Sequence, residues 1–324
     1  MIPDLFLLNP YLRETVWGGR NLGEYYNKPL PPDVPIGESW EVSAYKDMES
    51  IVASGPLKGQ NLRDLVSSHS TKLLGQSVVE RYGTEFPMLI KLLDARQDLS
   101  IQVHPDDTYA RAKNLGTYGK MEAWYILKSN NGRVAYGLKE GVDKHSFESS
   151  IRENRVKDTI MFYNVKEGDI VFVPPGTLHA LCENVMIYEV QQSSDLTFRI
   201  YDYNRPGTDG KPRELHIDHS LDVITFDTPT PEPQHWSNLP GATPEHTLLA
   251  QSEHFQFERF APTKEIQHTY ATFSTLTILS GQAKLSGSGE SFNAQTGDTF
   301  FITANRTVNV SPEEQVEYLI SSIP

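Results

Sequence analysis

The chain has 324 residues, 38% apolar and 22% charged, enough for two domains with packed cores. Its formal charge of −13 makes nucleic acid and anionic membranes poor partners, whereas a small phosphorylated ligand needs only a few convergent Lys and Arg side chains. The single cysteine, Cys182, rules out an intrachain disulfide and a thiolate metal site and fits a cytoplasmic protein. No apolar run approaches the roughly 20 residues of a membrane span, and the N-terminal segment lacks the basic start and apolar length of a signal peptide.

In chain order, short β-rich or alternating runs bounded by Gly, Pro, Asn or Asp predict strands at 42–44, 50–53, 89–93, 100–104, 123–127, 170–173, 186–191 and 275–279. Helical patches fall at 61–82, where Asn61 is a good N-cap, at 105–115, with Pro105 and Asp106 at its start and Gly116 after it, and at 143–154. Many short strands with Gly/Pro turns predict a mainly β protein, a sandwich or barrel with a few inserted helices. Residues 227–244 carry Pro229, Pro231, Pro233, Pro240 and Pro244, too many for regular structure. A linker at 229–244 therefore divides the chain into 1–228 and 245–324.

The two regions repeat one another. The segment Gly168-Asp169-Ile-Val-Phe-Val-Pro-Pro-Gly-Thr-Leu-His179 resembles Gly297-Asp298-Thr-Phe-Phe-Ile-Thr-Ala-Asn-Arg-Thr-Val308, and upstream Glu122-Ala-Trp-Tyr-Ile-Leu matches Ser274-Thr-Leu-Thr-Ile-Leu. Glu122 thus aligns with Ser274, and His179 with Val308. The second copy keeps strands and turn but has neither ionisable group, so only the first can bind a metal.

In the strand 100–104, Ile101 and Val103 point one way, and Gln102 and His104 point together the other way. Two polar groups on a buried wall need partners: either each other through hydrogen bonds, or a metal. Glu122 opens an otherwise apolar strand, where exposure is the simpler alternative to ligation. The strongest signal is Gly168-x5-Pro174-x-Gly176-x2-His179, a strand and tight turn that return a histidine to the barrel.

That turn resembles the second motif of the cupin family, small jelly rolls whose inner histidines and glutamate hold a divalent metal. The first cupin motif differs here, because Gln102 stands in place of its first histidine and Glu122 comes late. Ile-Gln-Val-His-Pro, Lys120-x-Glu122 and Pro-Pro-Gly-x-x-His together resemble the type I phosphomannose isomerase family in its shorter bacterial form. So do Trp17-Gly18-Gly19, Gly37-Glu38-Ser39-Trp40-Glu41, Pro87-Met-Leu-Ile-Lys91, Glu189-Val-Gln-Gln-Ser-Ser-Asp195-x3-Arg199 and Pro212-Arg-Glu-Leu-His216.

The resemblance implies two cupin-type jelly rolls, the second, 245–324, degenerate. It implies one Zn²⁺ held by Gln102, His104, Glu122 and His179, a donor set that suits zinc and that cobalt, manganese or iron also fit. It further implies isomerisation of mannose 6-phosphate and fructose 6-phosphate through a cis-enediol. Lys91 and Ser100 would meet the phosphate, Lys120 would carry the proton with a pKa depressed by burial beside the metal, Asp195 would assist ring opening, and Arg199 would face enediolate or phosphate oxygens. Asp195 and Arg199 as a plain salt bridge is the competing reading of that pair. Longer members carry a histidine where this chain has Gly119, so no mechanism requiring it applies here. The expected partner is a small sugar phosphate, on a monomer or weak homo-oligomer. Competing readings are a non-catalytic sugar-phosphate sensor on the same scaffold and an iron-dependent cupin oxygenase. His216-x-x-His219 reads as a surface pair rather than a second metal site.

Overall fold

The computed structural model describes residues 2–226 and 228–324, so Asp227, at the start of the Pro-rich stretch, lies outside the described residues. Three antiparallel sheets carry the molecule. A seven-stranded sheet runs, edge to edge, through Gln234–His235, Asp169–Val173, Glu122–Ser129, Val185–Gln192, Met88–Ala95, Tyr11–Gly19 and Ile36–Val42. A five-stranded sheet runs through Phe198–Tyr201, Ile101–Val103, His179–Leu181, Arg133–Leu138 and Ile160–Asn164. The third sheet gathers the C-terminal strands, including the long Ser274–Ser286 and Thr307–Ser322.

The seven-stranded sheet is covered on both faces. One face packs Leu93, Trp124, Ile126 and Ile187 against Val134, Tyr136 and Leu181 of the five-stranded sheet. The other packs Ile90, Leu92, Tyr125 and Tyr188 against Phe257, Phe301 and Leu319 of the C-terminal sheet and against helical Leu62, Leu65 and Leu73. This explains why every residue of Met88–Ala95 is buried: a strand between two layers reads as a continuous apolar run rather than an alternation. The C-terminal sheet encloses its own core of Leu276, Ile278, Phe300, Val308, Tyr318 and Ile320.

The helix predicted over 61–82 is two, Leu62–Leu74 and Gln76–Tyr82, parted at Gly75, whose φ of 92° no right-handed helix accepts. Asn61 caps the first, accepting the Asp64 N–H at 2.8 Å. The helix predicted over 105–115 is shorter, Asp107–Ala112: the Asp106 side chain caps it at the Tyr109 N–H, and the chain leaves at Asn114, where φ is 55°. Helices Asn21–Tyr26 and Ile217–Val223 have no signal strong enough to predict, and the predicted strand at 42–44 is instead the end of Ile36–Val42. No helix among the described residues is long and apolar enough to cross a membrane.

Sheet membership does not follow the sequence division at 229–244. The N-terminal strand Leu5–Asn9 pairs with Thr299–Ile302, and Ile51–Val52 pairs with Leu5–Asn9, so both belong to the C-terminal sheet. Within the Pro-rich stretch, Gln234–His235 pairs with Asp169–Ile170. The repeat is in the same register in both copies: Glu122 lies opposite Val173, and Ser274 opposite Ile302, each one partner of the aligned sets. Gly168 and Gly297 both take the positive φ that their turns need, 88° and 93°. The following aspartates close the turn alike, Asp169 on Lys166 N–H and Asp298 on Gln295 N–H, both at 2.9 Å.

One buried ion pair ties the N-terminal region to the C-terminal sheet. Lys28 Nζ donates to Glu41 at 2.7 Å and to the Gly297 carbonyl at 2.6 Å, while Ser39 and Thr299 hydroxyls donate to the same carboxylate. Removing one partner strands a buried charge, at a typical cost of about 3 kcal/mol or more. Lys28→Ala is therefore expected to lower the unfolding free energy in urea by about 3 kcal/mol; a loss below about 1 kcal/mol would mean that water reaches Glu41.

Candidate active site

Two rows of side chains face one another between the seven- and five-stranded sheets. Across the five-stranded sheet, Arg199 lies opposite Gln102, Gln102 opposite His179, and His179 opposite Tyr136. Across the seven-stranded sheet, Trp124, Glu189, Lys91 and Trp40 stand abreast. Directly opposed residues share a face, so pairing register alone assembles a polar wall from four strands on each side. The rows meet where the Trp124 and His179 rings lie 5.5 Å apart, edge to face.

Three of the predicted ligands converge. Donor atoms of His104, Glu122 and His179 all lie within 4.8 Å of one another, and all three residues are buried. His179 Nε2 is 3.2 Å from Glu122 Oε1, and His104 Nε2 is 3.5 Å from Oε2. Both rings are anchored through Nδ1, His104 at 2.7 Å from the Leu196 carbonyl and His179 at 2.8 Å from that of Thr177. A carbonyl only accepts, so each Nδ1 carries the proton and each Nε2 keeps its lone pair toward Glu122. Burial, followed by the charge on Lys120, pushes the His104 pKa well down and keeps that ring neutral. Gln102 joins them, its amide nitrogen 3.4 Å from His179 Nε2 and its oxygen 3.3 Å from the Ser100 hydroxyl. Rotating the amide by half a turn presents the oxygen to the cluster and leaves the nitrogen a partner in Ser100.

Glu122 tests whether this cluster suits a cation. Its carboxylate is fully buried, and neither oxygen accepts a hydrogen bond of sound geometry, although Lys120 Nζ lies 2.7 Å from Oε2. Burial works against its charge, yet the Lys120 ammonium outweighs it and holds the pKa well below the usual carboxylate range. An ionised, dehydrated carboxylate with open lone pairs between two imidazole nitrogens is a donor set that a divalent cation satisfies.

Burial disfavours the Lys120 charge, but the Glu122 and Glu189 carboxylates prevail and raise its pKa. Its Nζ also lies 3.2 Å from His104 Nε2. The preceding Gly119 explains why this chain has no histidine there: a Cβ would sit 2.4 Å from the Pro105 carbonyl oxygen and from the Asp106 carbonyl carbon. That close backbone approach, with Lys120 N–H donating to the Pro105 carbonyl at 2.9 Å, sets where Lys120 enters.

A cavity of about 260 Å³ opens beside the cluster, lined among others by Lys91, Ser100, Gln102, Lys120, Asp195 and Arg199. Lys91 is not a free cation: its Nζ lies 3.4 Å from Glu38 and 3.5 Å from Glu189, over the Trp40 ring at 4.7 Å. Asp195 and Arg199 do not pair. Both Asp195 oxygens instead accept from Arg13 Nη1, at 3.3 and 3.2 Å. Arg199 has no carboxylate partner among the described residues, and its Nε is buried without a hydrogen bond. His216 is drawn in, its Nδ1 accepting the Arg199 backbone N–H at 3.3 Å, while His219 lies 2.8 Å from the Tyr109 hydroxyl. The cavity also takes in Arg13, Glu38, Glu189 and Arg213, to which sequence reasoning assigned no role. Glu38 and Glu189 sit inside the motifs that carry the family resemblance, but Arg13 carries no sequence signal.

A β-sandwich that turns two histidines, a carboxylate and an amide inward is a cupin-type jelly roll. A family model described as phosphomannose isomerase type I, catalytic domain, matches residues 5–139. A probable mannose-6-phosphate isomerase of Bacillus subtilis (strain 168) is 34% identical over 94% of this chain and 95% of its own length. A mannose-6-phosphate isomerase of Streptococcus mutans is likewise 34% identical, over 92% of each. The crystal structure of the mannose 6-phosphate isomerase from Bacillus subtilis superposes with a TM-score of 0.89 at 30% identity, covering 99% of this chain and 100% of that one. The chain belongs to the type I phosphomannose isomerase family.

Proposed function

We propose that the protein interconverts mannose 6-phosphate and fructose 6-phosphate through a cis-enediol, with one Zn²⁺ held by Gln102, His104, Glu122 and His179. The observation that carries this reading is the fully buried Glu122 carboxylate between two Nδ1-anchored imidazoles, beside a cavity lined by Gln102, Lys120 and an Arg199 that pairs with no carboxylate among the described residues. The ion would supply Lewis-acid stabilisation of charge on the O1 and O2 side of the sugar. Arg199 faces the anionic end of the substrate or the enediolate oxygens. Ser100 and Lys91 line the same space, Lys91 as a member of the Glu38–Lys91–Glu189 array rather than as a lone cation. Asp195 assists ring opening. Lys120 is the proton carrier between C1 and C2, taking the proton from one carbon as the neutral amine and returning it to the other from the ammonium that results.

In the region 245–324, Ser274 and Val308 replace the glutamate and histidine, and Val308 is buried in an apolar core. We read this region as structural, with 229–244 as the connection to the catalytic region, residues 1–228. The remaining expectations are a cytoplasmic enzyme, a monomer or weak homo-oligomer, with the net charge of −13 disfavouring nucleic acid and anionic membrane as partners.

In ²H₂O, NMR is expected to show solvent deuterium entering the sugar phosphate at C1 or C2 as mannose 6-phosphate and fructose 6-phosphate interconvert. A chelator should stop both exchange and turnover, and Zn²⁺ should restore them. Undiminished turnover in metal-stripped protein would defeat the metal assignment. Binding of fructose 6-phosphate without exchange would favour the sensor reading, which the joint presence of Lys120, Asp195 and Arg199 in one cavity counts against.

A further inference from the structure

Arg13 and Arg199 are among the basic residues that share the cavity wall with Asp195, and Asp195 pairs with Arg13. Nη1 of Arg13 donates to both Asp195 oxygens, at 3.3 and 3.2 Å, and lies 3.8 Å from Glu38. The guanidinium is itself set, lying 5.5 Å over the Trp40 ring, and Trp40 is pinned by its indole N–H on Glu38 at 2.7 Å. Arg199 comes from the facing sheet, four residues after Asp195 along the chain, and its buried Nε has no hydrogen bond. A guanidinium left without a carboxylate inside a chain of net charge −13 is unusual. The two carboxylates that favour its charge are both taken, Asp202 by Arg205 and Arg213 and Asp195 by Arg13.

We infer that Arg13 is a positioning residue for substrate affinity: by holding Asp195, it prevents that carboxylate from closing on Arg199 and so keeps Arg199 open for the anionic end of the sugar phosphate. The inference rests on the reading of Arg199 as a substrate contact. Arg13 does this through Asp195 and not by touching the substrate. Without Arg13, Asp195 is free to neutralise Arg199, and a ligand phosphate must first displace an internal ion pair.

A double-mutant cycle on the full-length protein tests this. The probe is sorbitol 6-phosphate, which has no carbonyl to isomerise, so binding is read by calorimetry apart from catalysis. Arg13→Ala is expected to weaken binding about 10-fold, Asp195→Asn alone to change it less than about 2-fold, and the double variant to return to within about 2-fold of the parent. Arg13→Lys, which keeps a cation for Asp195, should recover most of the loss. A simple effect of cavity charge gives a different pattern, with Asp195→Asn tightening binding by as much as Arg13→Ala weakens it. That additive result overturns the inference. So does a double variant as weak as Arg13→Ala, the mark of a disturbed fold, or an Arg13→Ala that binds as the parent does. If the parent itself does not bind sorbitol 6-phosphate, the sugar-phosphate reading of the cavity fails, and this inference fails with it.

Discussion

Glu122→Gln is expected to lower kcat/KM by about 10³-fold or more, a loss of about 4 kcal/mol of transition-state stabilisation, and to leave the purified protein with little bound metal. The substitution keeps the side chain's size and removes its charge. Glu122 is the only anionic member of the proposed ligand set, it is fully buried, and its two oxygens face His104 and His179. The amide would place an NH₂ group against an Nε2 lone pair, a hydrogen bond that neutral imidazole welcomes, so the fold should survive while the cation does not stay. Metal content by mass spectrometry, measured with the activity, decides it. A Glu122→Gln enzyme with full metal and only a few-fold loss would show that the carboxylate is a counter-ion for Lys120 and nothing more.

Lys120→Met should lower kcat by about 10²- to 10⁴-fold, the usual worth of a positioned proton donor or acceptor, with KM changed by no more than a few-fold and metal content retained. The structure makes this a sharp test because Lys120 has two possible jobs. Its Nζ lies 2.7 Å from Glu122 and 3.2 Å from His104 Nε2, close enough to act as the buried carboxylate's counter-ion. A divalent ion held by Glu122 would take over that job, and what would then remain for Lys120 is the proton. If Lys120→Met loses metal in proportion to activity, the residue is structural. If it keeps metal and stops deuterium exchange into the sugar, it is the carrier.

The residues of the proposed ligand set stood out in the sequence because their signals are local. Alternation alone puts Gln102 and His104 on one face while Ile101 and Val103 enter the apolar core with Phe147 and Phe198. The turn ending at His179 has its own glycine and proline punctuation, and its echo at Gly297–Val308 shows what the same strands look like without ligands. The order of two jelly rolls was legible for the same reason, since a repeated register leaves a repeated sequence. What sequence could not supply were contacts fixed only by how sheets stack. Leu5–Asn9 crosses to the C-terminal sheet, 290 or more residues away along the chain, and no local pattern names its partner. Arg13 reaches Asp195 across 182 residues, so no local pattern names it as that carboxylate's partner. Nor could sequence supply the full surroundings of Lys120, which Glu189 meets from the strand beside that of Glu122. Gly119 carried a mark whose cause lay out of sight: the backbone at 105–106 leaves no room for the Cβ.

The central claim is one cation among Gln102, His104, Glu122 and His179. It is tested most directly by anomalous difference maps from crystals of active protein, recorded just above and just below the zinc absorption edge. The account predicts one strong peak per chain where those four side chains converge, present above the edge and lost below it, and none beside Ser274 and Val308. An active crystal with no peak at that point, or with its only peak elsewhere, would contradict it.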